Sequence, residues 1–361
     1  MRGLVLLTAL PPTIGHSFLV HWASEYLENF SKDHMNTLYV LVCTQPGEPL
    51  VEQRYEALQR HFFHLKNVRV SFLHTKMPQY PRGEHDTSFW DAWKGEILRK
   101  INPSVSVNGN IVDLVFSSES YGYKLAETLG ARHIIVDPTR SIVHCSGTAA
   151  RSDPTGYWEE IIPEFRHHVQ KTVTLFGAES TGKTTISTYL GGSSLAWGFI
   201  PEYARPFLES LKSPEVTSER MLQIVQGQHM FQSQGCRVGG PVVIRDTDLL
   251  STIGYYRLYD PSYKNDPGYQ LCLDLFSRSK ADLYLLLSAN IPFTKDPLRY
   301  GGDKRESTDV FWKDLLDEFQ CNYKYITMYD PRYRYDQCRC FCEDIFFDQN
   351  IWKYRREKEP K

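Results

Sequence analysis

Residues 177–185 read Gly-Ala-Glu-Ser-Thr-Gly-Lys-Thr-Thr, which matches the pattern G-x4-G-K-[ST]. The apolar run Thr172–Phe176 precedes it, and a helical pattern over Lys183–Leu190 follows. Strand, glycine-rich turn and helix start in that order are the context this motif requires. The glycines let successive backbone N–H groups turn inward around phosphates. Lys183 neutralises charge on the β- and γ-phosphates, and the Thr184 hydroxyl can ligate Mg²⁺. The helix N-terminus adds partial positive charge. Gly177, Glu179, Ser180, Thr181, Gly182, Lys183, Thr184 and Thr185 therefore form a candidate ATP cradle, with Lys183 also a candidate catalytic residue.

The motif lies near the middle of 361 residues, a length that suits two domains. Before it, apolar runs at Gly3–Thr8, Thr37–Thr44, Val68–His74, Val112–Ser117 and His133–Asp137 read as strands. Helical patterns fall between them at Gly15–Phe30, Glu48–His64, Ser88–Lys100 and Tyr121–Leu129. This alternation implies βαβ units and a parallel sheet. The pattern restarts with strands at Val173–Phe176, Phe199–Pro201, Val242–Arg245 and Asp282–Leu287 and a long helix at Ser218–Gln234. Pro154, Gly156 and Pro163 interrupt the periodicity, which places the domains at 1–155 and 170–361 with 156–169 as linker. The tail YRREKEPK reads as solvated.

A formal net charge of −2 provides no overall basic field for nucleic acid or an anionic membrane, so an anionic ligand needs a local site. No apolar run approaches a membrane span. The N-terminal MRGLVLLTALPPTIGH ends in two prolines without a cleavage site and reads as a buried first strand. Cys338, Cys340 and Cys342 lack the C-x2-C spacing of common zinc sites. Reduced thiols in a cytoplasmic protein are the expectation.

Further signals surround the phosphate motif. Val242–Arg245 ends in Asp246-Thr-Asp248, and either acid is placed to hold Mg²⁺ or to cap a helix. We take Asp246 as metal ligand and Asp248 as substrate-binding. Ile200-Pro-Glu202-Tyr-Ala-Arg205 follows the second strand of this half, where ligands bind in open α/β sheets. Glu202 is then a candidate general base for an acceptor hydroxyl, and Arg205 a substrate or phosphate ligand. The stretch Ile291–Arg305 packs cations among turn formers and reads as a lid, with Arg299 and Arg305 on the transferring phosphoryl group. No N-K-x-D base-reading sequence of GTPases is present.

In the first half, the opening strand runs into Pro11-Pro12-Thr13-Ile-Gly15-His16. T/H-x-G-H at the start of the first helix is the signature of HIGH-type nucleotidyltransferases. His16 can donate to an α-phosphate during attack, and Gly15 lets a nucleotide lie close to the backbone. The family's second signature, I-S-x-T-x-x-R, is matched by Cys145-Ser146-Gly-Thr148-Ala-Ala-Arg151. Ser146, Thr148 and Arg151 suit a triphosphate cradle. Cys145 replaces the usual Ile, a change that bears on packing. Trp90 and Trp93 either stack on a planar base or line the buried face of a helix.

Together these residues resemble the NadR family, bifunctional enzymes that join NMN adenylyltransferase to ribosylnicotinamide kinase. The resemblance runs from about residue 3 to about residue 310 and includes the joining stretch Trp158–Arg166. It implies an α/β protein of two domains, a Rossmann-like nucleotidyltransferase followed by a P-loop kinase. The second half would phosphorylate nicotinamide riboside with ATP to NMN. The first would join NMN to AMP from ATP, giving NAD and pyrophosphate. Mg²⁺ is expected in both sites, and the resemblance leaves room for a homo-oligomer. Some members begin with a helix-turn-helix repressor segment; this chain begins at the first strand, so no repressor role and no nucleic-acid partner are expected.

Two other readings fit part of the pattern. A pantetheine-phosphate adenylyltransferase fused to dephospho-coenzyme A kinase has the same architecture, although Glu179-Ser-Thr-Gly, Glu202-Tyr-Ala-Arg and Asp246-Thr-Asp favour the nicotinamide reading. A nucleotide-sensing protein with one active half is the reading from a different class.

Overall fold

The computed structural model describes residues 1–30, 36–78, 81–83, 86–101, 112–192, 198–211, 217–293 and 308–346. Its two compact units meet in the chain between Val169 and Gln170. The first unit alternates strand and helix: β1 (Arg2–Leu7), α1 (Ile14–Phe30), β2 (Thr37–Thr44), α2 (Val51–His61), β3 (Val68–His74), α3 (Thr87–Ile101), β4 (Leu114–Ser117), α4 (Tyr121–Leu129) and β5 (Arg132–Ile135), then the short α5 (Gly147–Ser152) and α6 (Pro163–Arg166). The strands form one parallel sheet in the order β3-β2-β1-β4-β5.

Period-two alternation within β1 explains how both faces are covered. Val5 and Leu7 pack with Leu19, Val20, Ala23 and Leu27 of α1, while Leu4 faces Trp93 and Ile97 of α3 and Leu125 of α4. Strand order reverses between β1 and β4, so the crevice at their carboxyl ends is where a ligand is expected to sit. The stretch 156–169, expected to be a linker, is packed. Trp158, Ile161, Ile162 and Phe165 are buried in the same core as α1. Ile161 bridges Thr13, and the Ile162 N–H donates to the Pro12 carbonyl at 3.2 Å. Four large apolar side chains between Trp158 and Phe165 outweigh the punctuation by Pro154, Gly156 and Pro163.

The second unit comprises β6 (Lys171–Phe176), α7 (Lys183–Gly191), β7 (Gly198–Ile200), α8 (Ala204–Leu211), α9 (Ser218–Val238), β8 (Val242–Asp246), α10 (Leu249–Tyr259), α11 (Pro267–Ser279), β9 (Leu283–Leu287), α12 (Thr308–Glu318), β10 (Tyr323–Ile326) and α13 (Pro331–Phe346). Its sheet is also parallel, in the order β10-β9-β6-β8-β7. Phe176, Tyr284 and Leu286 pack under α10, α11 and α12, whereas Val173, Leu175, Ile244 and Leu285 pack under α7 and α13. The protein is thus α/β with two parallel sheets. Cys338 and Cys342 sit four residues apart on the buried face of α13, while Cys340 is exposed. Helical spacing turns Cys340 away from the other two thiols, and burial pushes Cys338 up to about 12. Among the described residues no helix is long and apolar enough to cross a membrane.

Candidate active sites

The first unit brings its two signatures together at the carboxyl end of β1. Thr13 is buried, and its backbone N–H donates to His16 Nδ1 at 3.0 Å, with Thr13 Oγ1 at 2.7 Å from the same nitrogen. A backbone N–H can only donate, so Nδ1 is the bare nitrogen and the neutral ring carries its proton on Nε2. Although His16 keeps part of its area exposed, desolvation by the surrounding protein, then the charge of Arg140, lower its pKa to about 4. At neutral pH it is an uncharged donor. Gly15 lies against Cys145, and Gly147 against His16: a Cβ built on either glycine would meet these neighbours at 3.7 Å.

Ser146 caps α5, accepting from the Ala149 N–H at 3.4 Å. Arg151 donates to the Leu10 carbonyl at 2.8 Å and to Thr148 Oγ1 at 3.3 Å, tying the second signature to the chain just before the first. Two further features lie outside the motifs. Arg140, in a left-handed conformation, donates to the Cys145 carbonyl at 3.3 Å and places its charge near His16. A chain of contacts from Ser17 Oγ to His61 Nε2 (2.8 Å), and from His61 Nδ1 to Glu164 (2.9 Å), anchors the first turn of α1 to α6. These partners are 44 and 103 residues apart in sequence, which no local pattern reveals.

The two tryptophans part company. Trp93 is 6% exposed, packs with Phe89 and Ile97, and donates its indole N–H to the Pro78 carbonyl at 3.1 Å. Its substrate-stacking role is corrected to a core role: the ring is packed among apolar side chains and its indole N–H is spent on a backbone carbonyl. Trp90 stays half-buried.

In the second unit the loop after β6 has the backbone the motif demands. Gly177 has φ 124°, Ser180 54° and Gly182 88°. A Cβ at Gly177 would lie 2.8 Å from the Leu287 carbonyl, so strand β9 leaves no room for a side chain there. Lys183 is 5% exposed and donates to the Gly177 and Ala178 carbonyls at 2.9 and 2.6 Å, holding its charge within the loop. Thr181 is buried and donates to the Ala178 carbonyl at 2.9 Å; Glu179 is half-buried, and Thr184 and Thr185 are exposed in the first turn of α7.

Asp246 ends β8 in register with Leu175 of β6, at the edge where the loop begins, and is almost fully buried. Asp248 behaves differently. It caps α10, with Oδ1 accepting from the Leu250 N–H at 2.9 Å. Its Oδ2 accepts from the Tyr284 hydroxyl at 2.6 Å and from the Thr174 hydroxyl at 3.4 Å. Burial raises its pKa, opposed by the Tyr284 bond and the charge of Arg245. The substrate-binding assignment of Asp248 is therefore corrected: both oxygens are used inside the fold. Glu202 is half-buried just beyond β7, where the Tyr203 N–H donates to Gln228 Oε1 at 2.8 Å. Arg205 lies 3.8 Å from Glu209, one helical turn on. Arg299 and Arg305 of the expected lid lie outside the described residues.

Comparison with known proteins agrees with this layout. The AAA domain family matches residues 172–333. The trifunctional NAD biosynthesis/regulator protein NadR of Escherichia coli (strain K12) is 28% identical over 302 residues, covering 81% of this chain and 69% of that protein. The protein of the same name from Salmonella typhimurium is 27% identical over 319 residues, covering 84% and 72%. Crystal structures of a NadR protein in complex with NR, and in complex with NAD and AMP-PNP, share the fold, each with TM-score 0.71 and 22% identity over 100% of this chain and 98% of theirs. Over 81% of its length the chain is similar to the NadR of Escherichia coli, in keeping with the resemblance to the NadR family.

Proposed function

We propose that the chain is a bifunctional NAD salvage enzyme, in which residues 170 onward phosphorylate nicotinamide riboside and the first unit adenylylates the resulting NMN. The observation that supports the reading is the pairing of two candidate phosphate sites in one chain: His16 with Ser146–Arg151 in one unit, and the Gly177–Thr185 loop in the other.

In the kinase half the 5′-hydroxyl of the riboside attacks the γ-phosphorus of ATP, the bond to the bridging β–γ oxygen breaks, and ADP leaves. Glu202 accepts the hydroxyl proton. Lys183 and the loop amides hold the β- and γ-phosphates, so the chemistry rests on alignment and charge. The Asp246 carboxylate and the Thr184 hydroxyl are hard oxygen donors beside that loop and suit Mg²⁺, which when bound offsets phosphate charge. Arg205 would bind the acceptor or its phosphate, and Arg299 and Arg305, outside the described residues, would stabilise charge on the transferred phosphoryl group.

In the nucleotidyltransferase half the phosphate oxygen of NMN attacks the α-phosphorus of ATP and pyrophosphate leaves. The proton on His16 Nε2 is donated as a hydrogen bond to the α-phosphate oxygens, where negative charge builds. Ser146, Thr148 and Arg151 hold the triphosphate. Trp90, half-buried on α3, would stack on a planar base.

Mass-resolved product analysis tests the reading directly. Nicotinamide riboside and ATP should yield NMN first and NAD after it. Turnover only of phosphopantetheine and dephospho-coenzyme A would refute it.

A further inference from the structure

The AAA domain match ends at residue 333, one residue before a buried arginine that reaches the phosphate loop. Arg334, on α13, is 2% exposed. Its Nη1 donates to the Thr181 carbonyl at 3.0 Å and to the Ser288 carbonyl at 3.1 Å. Its Nε donates to the Met328 carbonyl at 2.7 Å, and Nη2 donates to Asn290 Oδ1. One guanidinium thus joins the phosphate loop, the segment leaving β9 and the segment leaving β10.

The contact to Thr181 matters most. A trans peptide is planar, with its C=O and N–H pointing to opposite sides. Holding the Thr181 carbonyl toward Arg334 therefore directs the Gly182 N–H the opposite way. Gly182, at φ 88°, is the residue just before Lys183 and caps α7. Its amide is one of those a phosphate cradle needs. A charged donor on the carbonyl also polarises that peptide, making its N–H a stronger donor. Thr181 is fixed at its other end by its own hydroxyl, which bonds the Ala178 carbonyl. Lysine cannot reproduce the fork, since it has three donors on one atom instead of five spread over a plane.

We propose that Arg334 is a positioning residue for the phosphate loop, acting through the Thr181–Gly182 peptide to orient a loop amide toward bound triphosphate. The proposal rests on the nucleotide site of the second unit but not on the identity of its acceptor.

The test is direct binding of AMP-PNP and of adenosine by calorimetry to the full chain, natural and with Arg334→Gln or Arg334→Lys. NMN adenylylation by the first unit and a thermal melt monitor folding. Arg334→Gln should weaken AMP-PNP binding by about tenfold to hundredfold, change adenosine binding by less than about twofold, and Arg334→Lys should fall between. A merely structural role would weaken both ligands alike. A folded variant of either kind with natural AMP-PNP affinity overturns the proposal, as does an equal loss for adenosine. If neither variant folds its second unit while adenylylation persists, Arg334 is a folding residue and the proposal is likewise overturned. Weakened AMP-PNP binding in a protein that never phosphorylates the riboside would retain this proposal and remove the kinase reading.

Discussion

At the start of α1 the groups proposed to face phosphate are mainly side chains. His16 is aimed by a single backbone N–H, and Arg151 is held by the Leu10 carbonyl and the Thr148 hydroxyl. At the start of α7 the corresponding groups are backbone amides of a loop with three positive φ angles, closed over a buried lysine. Side-chain donors can be tuned in charge and tautomer, which suits a proton donated to an α-phosphate. A backbone cradle is fixed by the fold, which suits holding a triphosphate still for transfer to a second substrate. The two units therefore place their sensitivity differently: the first in the environment of one imidazole, the second in the carbonyls behind its loop.

The sharpest break in that contrast concerns the two acids of Asp246-Thr247-Asp248. Asp246→Asn is expected to lower riboside phosphorylation by about 100-fold or more while leaving the unfolding midpoint in urea nearly unchanged. Asp248→Ala is expected to act on the fold. It removes the α10 cap and strands the Tyr284 and Thr174 hydroxyls in the core, costing about 3 kcal/mol or more. Steady-state kinetics beside urea titration separates the two, and a stable Asp248→Ala protein with a raised riboside KM would restore the substrate role.

The tryptophans provide a similar comparison in the first unit. Trp93→Ala should cost about 3–5 kcal/mol of stability in denaturant titration, because a buried ring and its bond to Pro78 are lost. Trp90→Ala should cost less and raise the KM for NMN. Equal destabilisation with unchanged KM would make both residues core.

A smaller effect is expected at His16. Its folded pKa of about 4 lies below the ordinary 6.5, so between these values the unfolded chain binds the extra proton. The stability this group contributes is full above about pH 6.5 and declines as pH falls toward 4. Arg140→Ala should raise the midpoint by less than about one unit, since desolvation is the larger cause and remains. Proton NMR of the imidazole would show it; an unmoved midpoint would leave desolvation as the whole cause.

Strand and helix order in the first unit was legible because each segment carries one clear period. The strand patterns at Thr37–Thr44 and Val68–His74 match β2 and β3, and Tyr121–Leu129 matches α4. The end of the chain was less readable. Strand β10 is four residues long with two exposed in the middle, and α13 carries Arg, Tyr and Asp around a narrow buried stripe. Neither has the apolar periodicity that marks β1 or α4, yet Arg334 reaches the loop from there. Motifs marked the candidate phosphate residues, His16 with Ser146–Arg151 and the Gly177–Thr185 loop. They did not reveal Ser17–His61–Glu164, Arg140 or Arg334, because each acts through partners distant in sequence. Asp248 was misassigned for a related reason: its partner Tyr284 lies 36 residues away on another strand.

The central claim is that two separate sites act in sequence, and paired variants followed by mass spectrometry test it most directly. With riboside and ATP, Lys183→Ala should make no NMN yet still convert supplied NMN to NAD. His16→Ala should make NMN and accumulate it without forming NAD. If either substitution, in a chain that remains folded, removes both conversions, the two-site account is contradicted.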